Sequence, residues 1–305
     1  MKKINTYITE KLKLNRDSSW TEPVYKPQTK DELRDLIDKL LEERGHNADL
    51  NDIDTSAITD MSYLFNKCQP RDVNISEWDV SNVTDMSYMF YANYTFNCNL
   101  SNWNVSKVTN MRKMFCKCAR FNSSLNGWNV SNVTDMFGMF EECSSFNGDI
   151  SSWDTSKVRD MGNMFKECKS FNGYISKWDV SKVGDMSNMF GGCKIFNGDL
   201  SKWNTKNVVN MSSMFMNCKR FAGDLSKWNV GKVMRMDKMF YECTKFNSDI
   251  SSWSTTHVID MYMMFFNCKK FDCDLTNWDT YHLRNKLMMF NGCDELQQKP
   301  GWYFV

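Results

Sequence analysis

Tryptophan stands at Trp78 and then at every twenty-fifth residue, through Trp103, Trp128, Trp153, Trp178, Trp203, Trp228 and Trp253 to Trp278, without a slip. Phe keeps the same period in two columns, Phe65 to Phe290 and Phe96 to Phe271. Met fills two more, Met61 to Met261 and Met89 to Met289. A fixed period of this length is the signature of a solenoid, in which each unit buries its apolar face on its neighbours. The high aromatic and Met content of the chain is a consequence of these columns.

One unit divides in two. In "LSNWNVSKV" Trp103 and Val105 share a face while Asn102, Asn104 and Ser106 take the other, the alternation of a strand. Asn110 then reads as an N-cap before Met111, Met114, Phe115 and Cys118, whose spacing is one stripe of a two-turn helix. Asn-Gly pairs such as Asn147-Gly148 and Asn172-Gly173 read as the turn before the next strand. The expected fold is therefore an α/β repeat solenoid, with parallel strands on one concave face and short helices on the other.

Ten coils of 25 residues can be counted, opening at Leu50 and then from Ile75 to Leu275. The expected layout is an N-terminal segment over 1–28, a capping helix and linker over 29–49, the solenoid over 50–293 and a C-terminal closure over 294–305. For the capping helix, Thr29 and Glu32 read as a capping box, Leu33, Leu36, Ile37, Leu40 and Leu41 as its apolar stripe and Gly45 as its stop. Trp302, Tyr303 and Phe304 would close the far end. Residues 1–28 read either as a tail or as a short helix near Ile4–Leu14. Lys plus Arg exceed Asp plus Glu by one, so no global field draws in nucleic acid or an anionic membrane. No run approaches the roughly 20 apolar residues of a membrane span. Glu10, Lys11 and Lys13 interrupt the only stretch that could serve as a signal peptide, so the expected compartment is the cytoplasm.

The frame Leu-x-x-Trp-x-Val matches the opening of leucine-rich repeats with Trp in the second slot, and "VSNVTDMSYMF" over residues 80–90 extends it. The chain resembles the BspA-type leucine-rich-repeat surface proteins, in their 25-residue variant found in bacterial and some phage-encoded proteins, over about residues 30–293. The resemblance implies a curved solenoid, roles in adhesion or protein recognition, and a cell-surface or secreted location as the alternative to the cytoplasm. Val108, Val133 and Val158 occupy the slot in which leucine-rich repeats carry an Asn ladder.

Several columns invite chemistry, each with a plainer alternative. Cys68, Cys118, Cys143, Cys168, Cys193, Cys218, Cys243, Cys268 and Cys293 form a ladder. Helices packed about 8–10 Å apart would hold these thiols beyond the roughly 7 Å between Cα atoms that a disulfide needs. Buried reduced thiols are therefore expected, with a structural cluster or redox role as the alternative. The Trp ladder reads as core rather than as a sugar-stacking platform, because it shares its face with Val. The column between Trp and Val faces solvent, and Asp154 beside Asp179 is its one candidate cation site against a plain polar ladder. Lys177, Lys202 and Lys227 fall in register, with Lys182, Lys206 and Lys232 close by.

The function expected from these columns is non-enzymatic binding. His46, His257 and His282 are the only histidines, and no triad, phosphate loop, metal quartet or cofactor motif accompanies them. The candidate partner-binding face is Lys177, Asp179, Lys202, Asn204, Lys206, Lys227 and Asn229, facing a protein with an acidic surface. The inward aromatics leave nucleobases no stacking platform, which argues against nucleic acid. A structural role in a virion or other assembly is the alternative, with an enzyme or metal-binding protein behind it.

Overall fold

The computed structural model describes residues 23–66 and 73–304. The expected short helix near Ile4–Leu14, Trp20 and Cys68 lie outside the described residues. The repeats form a solenoid in which successive coils meet through parallel β-bridges, from Asp60↔Asp85 through Asn210↔Arg235 to Asp260↔Asn285. Inside runs one continuous core of the Leu/Ile, Trp, Val, Met, Phe and Cys columns, with most members at or near zero exposure.

The Met–Phe half of the coil is not helical, which corrects the expectation of short helices. Between residues 45 and 300 no described residue lies in a helix. In the coil opening at Ile75, the N–H groups of Met86, Tyr88, Phe90 and Ala92 donate to the carbonyls of Asn110, Arg112, Met114 and Cys116 in the next coil, at 2.8–3.0 Å. The alternate N–H groups of Met89, Tyr91 and Asn93 close turns three residues back within their own coil. This rhythm requires left-handed backbone at Tyr88 (φ 56) and Ala92 (φ 61). The same two positions are left-handed at Lys113 and Lys117, at Asn163 and Glu167, and at Gly138 and Glu142. A two-turn helix is too short to hold itself together. Consecutive turns bury the same residues and also bond directly to the next coil. Left-handed backbone costs a non-glycine residue about 1–2 kcal/mol, a cost that the inter-coil bonds offset.

The Trp–Val half is not a strand either. Trp103 N–H bonds to Leu100 O and Val108 N–H to Val105 O, so the segment is two successive turns. Alternation survives, because Trp103 and Val105 are buried while Asn102 and Asn104 are exposed. The Trp rings stack in a ladder, with Trp103 and Trp128 6.4 Å apart and 3° from parallel. Each indole N–H reaches a carbonyl of the preceding coil, as Trp178 Nε1 does to Ile150 O at 3.2 Å. Where Thr replaces Val in the core its hydroxyl is satisfied, Thr155 donating to Asp179 O and Thr205 to Asn229 O. Among the regular coils the backbone bonds between coils in this half run the other way, from Thr109 N–H to Thr84 O and on through Thr134 to Arg159.

The Asn-Gly pairs do not make turns. Gly148, Gly173 and Gly198, like Gly223 after Ala222, lack left-handed backbone, and the last three of these four in the chain would place a Cβ 2.9 Å from the ring of the Phe two residues before. Glycine is there for close approach of backbone to the Phe ladder. The Asn forms a ladder of its own on the surface. Asn97 Oδ1 accepts from Asn122 N–H, and the pattern repeats through Asn147, Asn172 and Asn197.

At the N-terminal end helix α1, Lys30–Arg44, lays Leu33, Ile37, Leu40 and Leu41 on the core. Thr29 Oγ1 accepts from Glu32 N–H, while the Glu32 carboxylate takes Gln28 N–H rather than that of Thr29. At the far end a 3-10 helix, Gly301–Tyr303, takes the place of a further coil. Trp302 stacks 6.5 Å from Trp278, and its Nε1 donates to Leu275 O, which continues the indole ladder by one step.

Candidate recognition face

Burial of the Trp and Val columns forces the residues between and beside them outward. Lys177, Asp179, Lys202, Asn204, Lys206, Lys227 and Asn229 are all exposed, on three consecutive coils that bond to one another in register. The Asp/Asn column does not form an amide ladder. Each side chain caps its own next turn: Asp179 Oδ1 accepts from Ser181 N–H at 2.9 Å, Asn204 Oδ1 from Lys206 N–H at 3.4 Å and Asn229 Oδ1 from Gly231 N–H at 3.0 Å. One side-chain heteroatom of each therefore remains for a partner. Asp154 is committed in the same way to Ser156 N–H, and bonding from the Ser156 hydroxyl and N–H holds its carboxyl below the usual range. Among the described residues no group of three or more His, Cys, Asp or Glu could hold a metal ion.

The lysines stand beside a column the sequence reading passed over. Asp149, Asp199, Asp224, Asp249 and Asp274 each accept from the N–H two residues on, at 2.9–3.0 Å. Hydrogen bonds from Ser201 hold the Asp199 carboxyl below the usual range, with Lys202 adding to the effect. Bonds from Ser226, again with a smaller contribution from the neighbouring Lys227, do the same for Asp224. The ion pairs nearest in sequence are Lys166–Glu141, Lys219–Glu242 and Arg235–Asp237, and among the described residues none includes Lys177, Lys202 or Lys227. The face is thus cationic ridges alternating with carboxylates rather than an unbroken basic stripe. The signal for the Asp column was in the sequence, as Asp-x-Ser before Lys202 and Lys227, but it reads equally as loop.

Of the flanking lysines, Lys232 is tied down by Asn207 Oδ1 at 2.9 Å, one rung of a ladder that includes Lys107–Asn82 and Lys157–Asn132. Ten described cysteines, Cys116, Cys118, Cys143, Cys168, Cys193, Cys218, Cys243, Cys268, Cys273 and Cys293, carry free thiols. The spacing argument for this was mistaken, because coils joined by direct backbone bonds lie closer than packed helices. What occupies the thiols of the ladder column is a carbonyl of the preceding coil, as in Cys143 Sγ to Phe115 O at 2.8 Å and Cys168 Sγ to Phe140 O at 2.9 Å. Burial raises these thiols well above the usual range.

Coils of fixed length, a ladder of backbone bonds between them and one shared core define a solenoid repeat protein. More particularly, the chain belongs to the family described as "Mycoplasma protein of unknown function, DUF285", whose model matches residues 35–152, 134–237 and 185–303. No curated protein matches it. Among solved structures, one described as "Crystal structure of TLR13-ssRNA13 complex" aligns with 9% identity and a TM-score of 0.27, over 88% of this chain and 48% of that one. This chain therefore spans about half the length of that protein, and so low a score transfers neither coil geometry nor ligand. No helix among the described residues is long and apolar enough to cross a membrane.

Proposed function

We propose that the protein is a non-enzymatic recognition scaffold that binds a protein partner through the exposed face carrying Lys177, Asp179, Lys202, Asn204, Lys206, Lys227 and Asn229. One observation carries this reading: the buried columns repeat from coil to coil, whereas exposed positions beside them change from Glu77 and Asn102 to Lys177, Lys202 and Lys227 and back to Ser252 and Asn277. A repeat array holds such a face rigid, so a partner meets groups already in place. The resemblance to BspA-type proteins supports adhesion or protein recognition as the setting. The Lys177→Glu/Lys202→Glu/Lys227→Glu variant tests it. It should keep the wild-type circular dichroism spectrum and lose the salt-sensitive part of binding, since exposed charges are screened over about 8–10 Å. Unchanged affinity in the folded variant would remove the face from consideration.

An assembly role is the second reading, and a specific observation favours it. The N–H groups of Met288, Phe290 and Gly292 occupy ladder positions in the last coil, yet among the described residues they meet no acceptor. Sedimentation velocity across a range of protein concentrations separates the two readings, because only assembly predicts growth of the particle.

A further inference from the structure

The capping column that flanks the lysines is broken once. Asn99, Ser124, Asp149, Asp199, Asp224, Asp249 and Asp274 all accept a hydrogen bond from the backbone N–H two residues on. At the equivalent position stands Tyr174, whose phenol oxygen is too far from its own backbone to cap that turn. Its side chain is 87% exposed, and the aromatic pairs of the array pass it by: Phe171 stacks on Phe165 and Phe196, whereas no ring or cation partner is found for Tyr174 among the described residues. The coil therefore forgoes a cap that its neighbours keep and gains no packing in return. Departures from a local rule without structural compensation are where functional positions are expected.

The position of the break adds to this. Tyr174 lies three residues before Lys177, where the following coils have Asp199 before Lys202 and Asp224 before Lys227. Lys177 is thus the one lysine of the register without a carboxylate at that position. A flat, two-torsion aromatic beside an uncompensated cation is the side-chain combination that dominates protein interfaces. The surroundings choose between polymers. A nucleic acid or sulfated glycan would bring uniform negative charge against Asp179, Asp199 and Asp224, whereas a protein surface can set carboxylates on the lysines and donors on the aspartates. Resting on the recognition reading above, we propose that Tyr174 with Lys177 is the anchor of the face, and that its partner is a polypeptide presenting a carboxylate beside an apolar or aromatic side chain.

The test uses the full chain, a random peptide library as the probe, and Tyr174→Asp, which installs the residue that neighbouring coils carry. Peptides selected on the wild-type chain should be rich in Asp or Glu next to an apolar residue and should bind Tyr174→Asp about tenfold or more weakly. The same variant should melt at or above the wild-type temperature, because it regains a cap. A lowered melting temperature would make Tyr174 a structural residue and overturn the proposal, as would equal affinity for the variant. Selected peptides that are insensitive to Tyr174→Asp but lost on reversing Lys177, Lys202 and Lys227 would overturn the anchor and leave the recognition face standing. Peptides insensitive to both, no enriched peptide, or preferential Tyr174-dependent binding of heparin would overturn both.

Discussion

The two halves of each coil contribute to one core but are joined to their neighbours by opposite means. In the Met–Phe half the backbone joins coil to coil, with four alternate N–H groups reaching the next coil, as from Met186, Asn188, Phe190 and Gly192. In the Trp–Val half most of the joining is done by side chains, the indole of Trp178 and the hydroxyl of Thr155, while carboxylates such as that of Asp179 cap turns within their own coil. The first half therefore tolerates varied exposed side chains but depends on backbone conformation. In the second, the side chains themselves hold the turns.

Truncating the core should give the largest effect. Trp178→Ala removes a stacked, buried ring and the bond to Ile150 O, and should destabilise by about 3–5 kcal/mol in urea unfolding. An unchanged midpoint would mean that the indole ladder is not a core element. Next comes backbone strain, which separates the halves. Asn188 has φ 53, so Asn188→Val should cost about 1–2 kcal/mol or more, whereas Asn188→Gly should be close to neutral, as Gly138 in the same column suggests. Equal costs for the two would show that left-handed backbone is not what the position demands.

A smaller effect concerns acid. The capped carboxylates of Asp149, Asp199 and Asp224 lie below the usual range. A depressed folded pKa adds stability above the unfolded value near 3.9, and that stability is lost as pH falls through the folded pKa. Asp199→Asn/Asp224→Asn keeps a cap, as Asn229 does, without titrating. Its urea midpoint should fall less than that of the wild type between neutral pH and pH of about 3. Asp160 runs the other way: burial raises its carboxyl, and Asp135 and Asp185 push it further in the same direction. The smallest effect should be that of reductant, which is expected to leave the melting temperature unchanged. Under native conditions Cys273 and Cys293, which are partly buried, should be alkylated faster than the buried Cys116, Cys118, Cys143, Cys168, Cys193, Cys218, Cys243 and Cys268. Cys116 shows the cause, its thiol pushed up to about 12 by burial and by Glu141.

Membership of the core was legible in the sequence, because a 25-residue period sorts side chains into columns whatever the backbone does. The backbone was not. Met111, Met114, Phe115 and Cys118 have the spacing of a helical stripe, and consecutive turns with left-handed third residues bury the same four. Gly138, Gly192 and Asn188 hint at such residues, but Lys113, Lys117 and Glu142 do not favour that conformation, so the column carries no uniform signal. Exposure of Lys177, Lys202 and Lys227 followed from their place beside Trp. Their interleaving with capped aspartates did not, since a cap depends on turn geometry that was read as strand.

The ladder of the Met–Phe half has a direction. In every coil from Ile75 to Ile250 the laddered N–H groups point toward the C-terminal end and the laddered carbonyls toward the N-terminal end. Four peptide units per coil are thereby aligned along the solenoid axis, opposed by the Thr109–Thr84 column and, in some coils, by a second bond such as Arg120 N–H to Tyr94 O. Aligned peptide dipoles of about 3.5 D each add as they do in an α-helix. The solenoid is consequently polarised along its length, positive at the coil of Met288 and Phe290 and negative at the coil of Asp60 and Ser62. At the negative end Lys30 sets its ammonium against Asp60 Oδ2 and Ser62 Oγ, at 3.0 Å and 2.5 Å. A cation is the charge that such an end attracts, and each additional coil would lengthen the dipole without changing its sign.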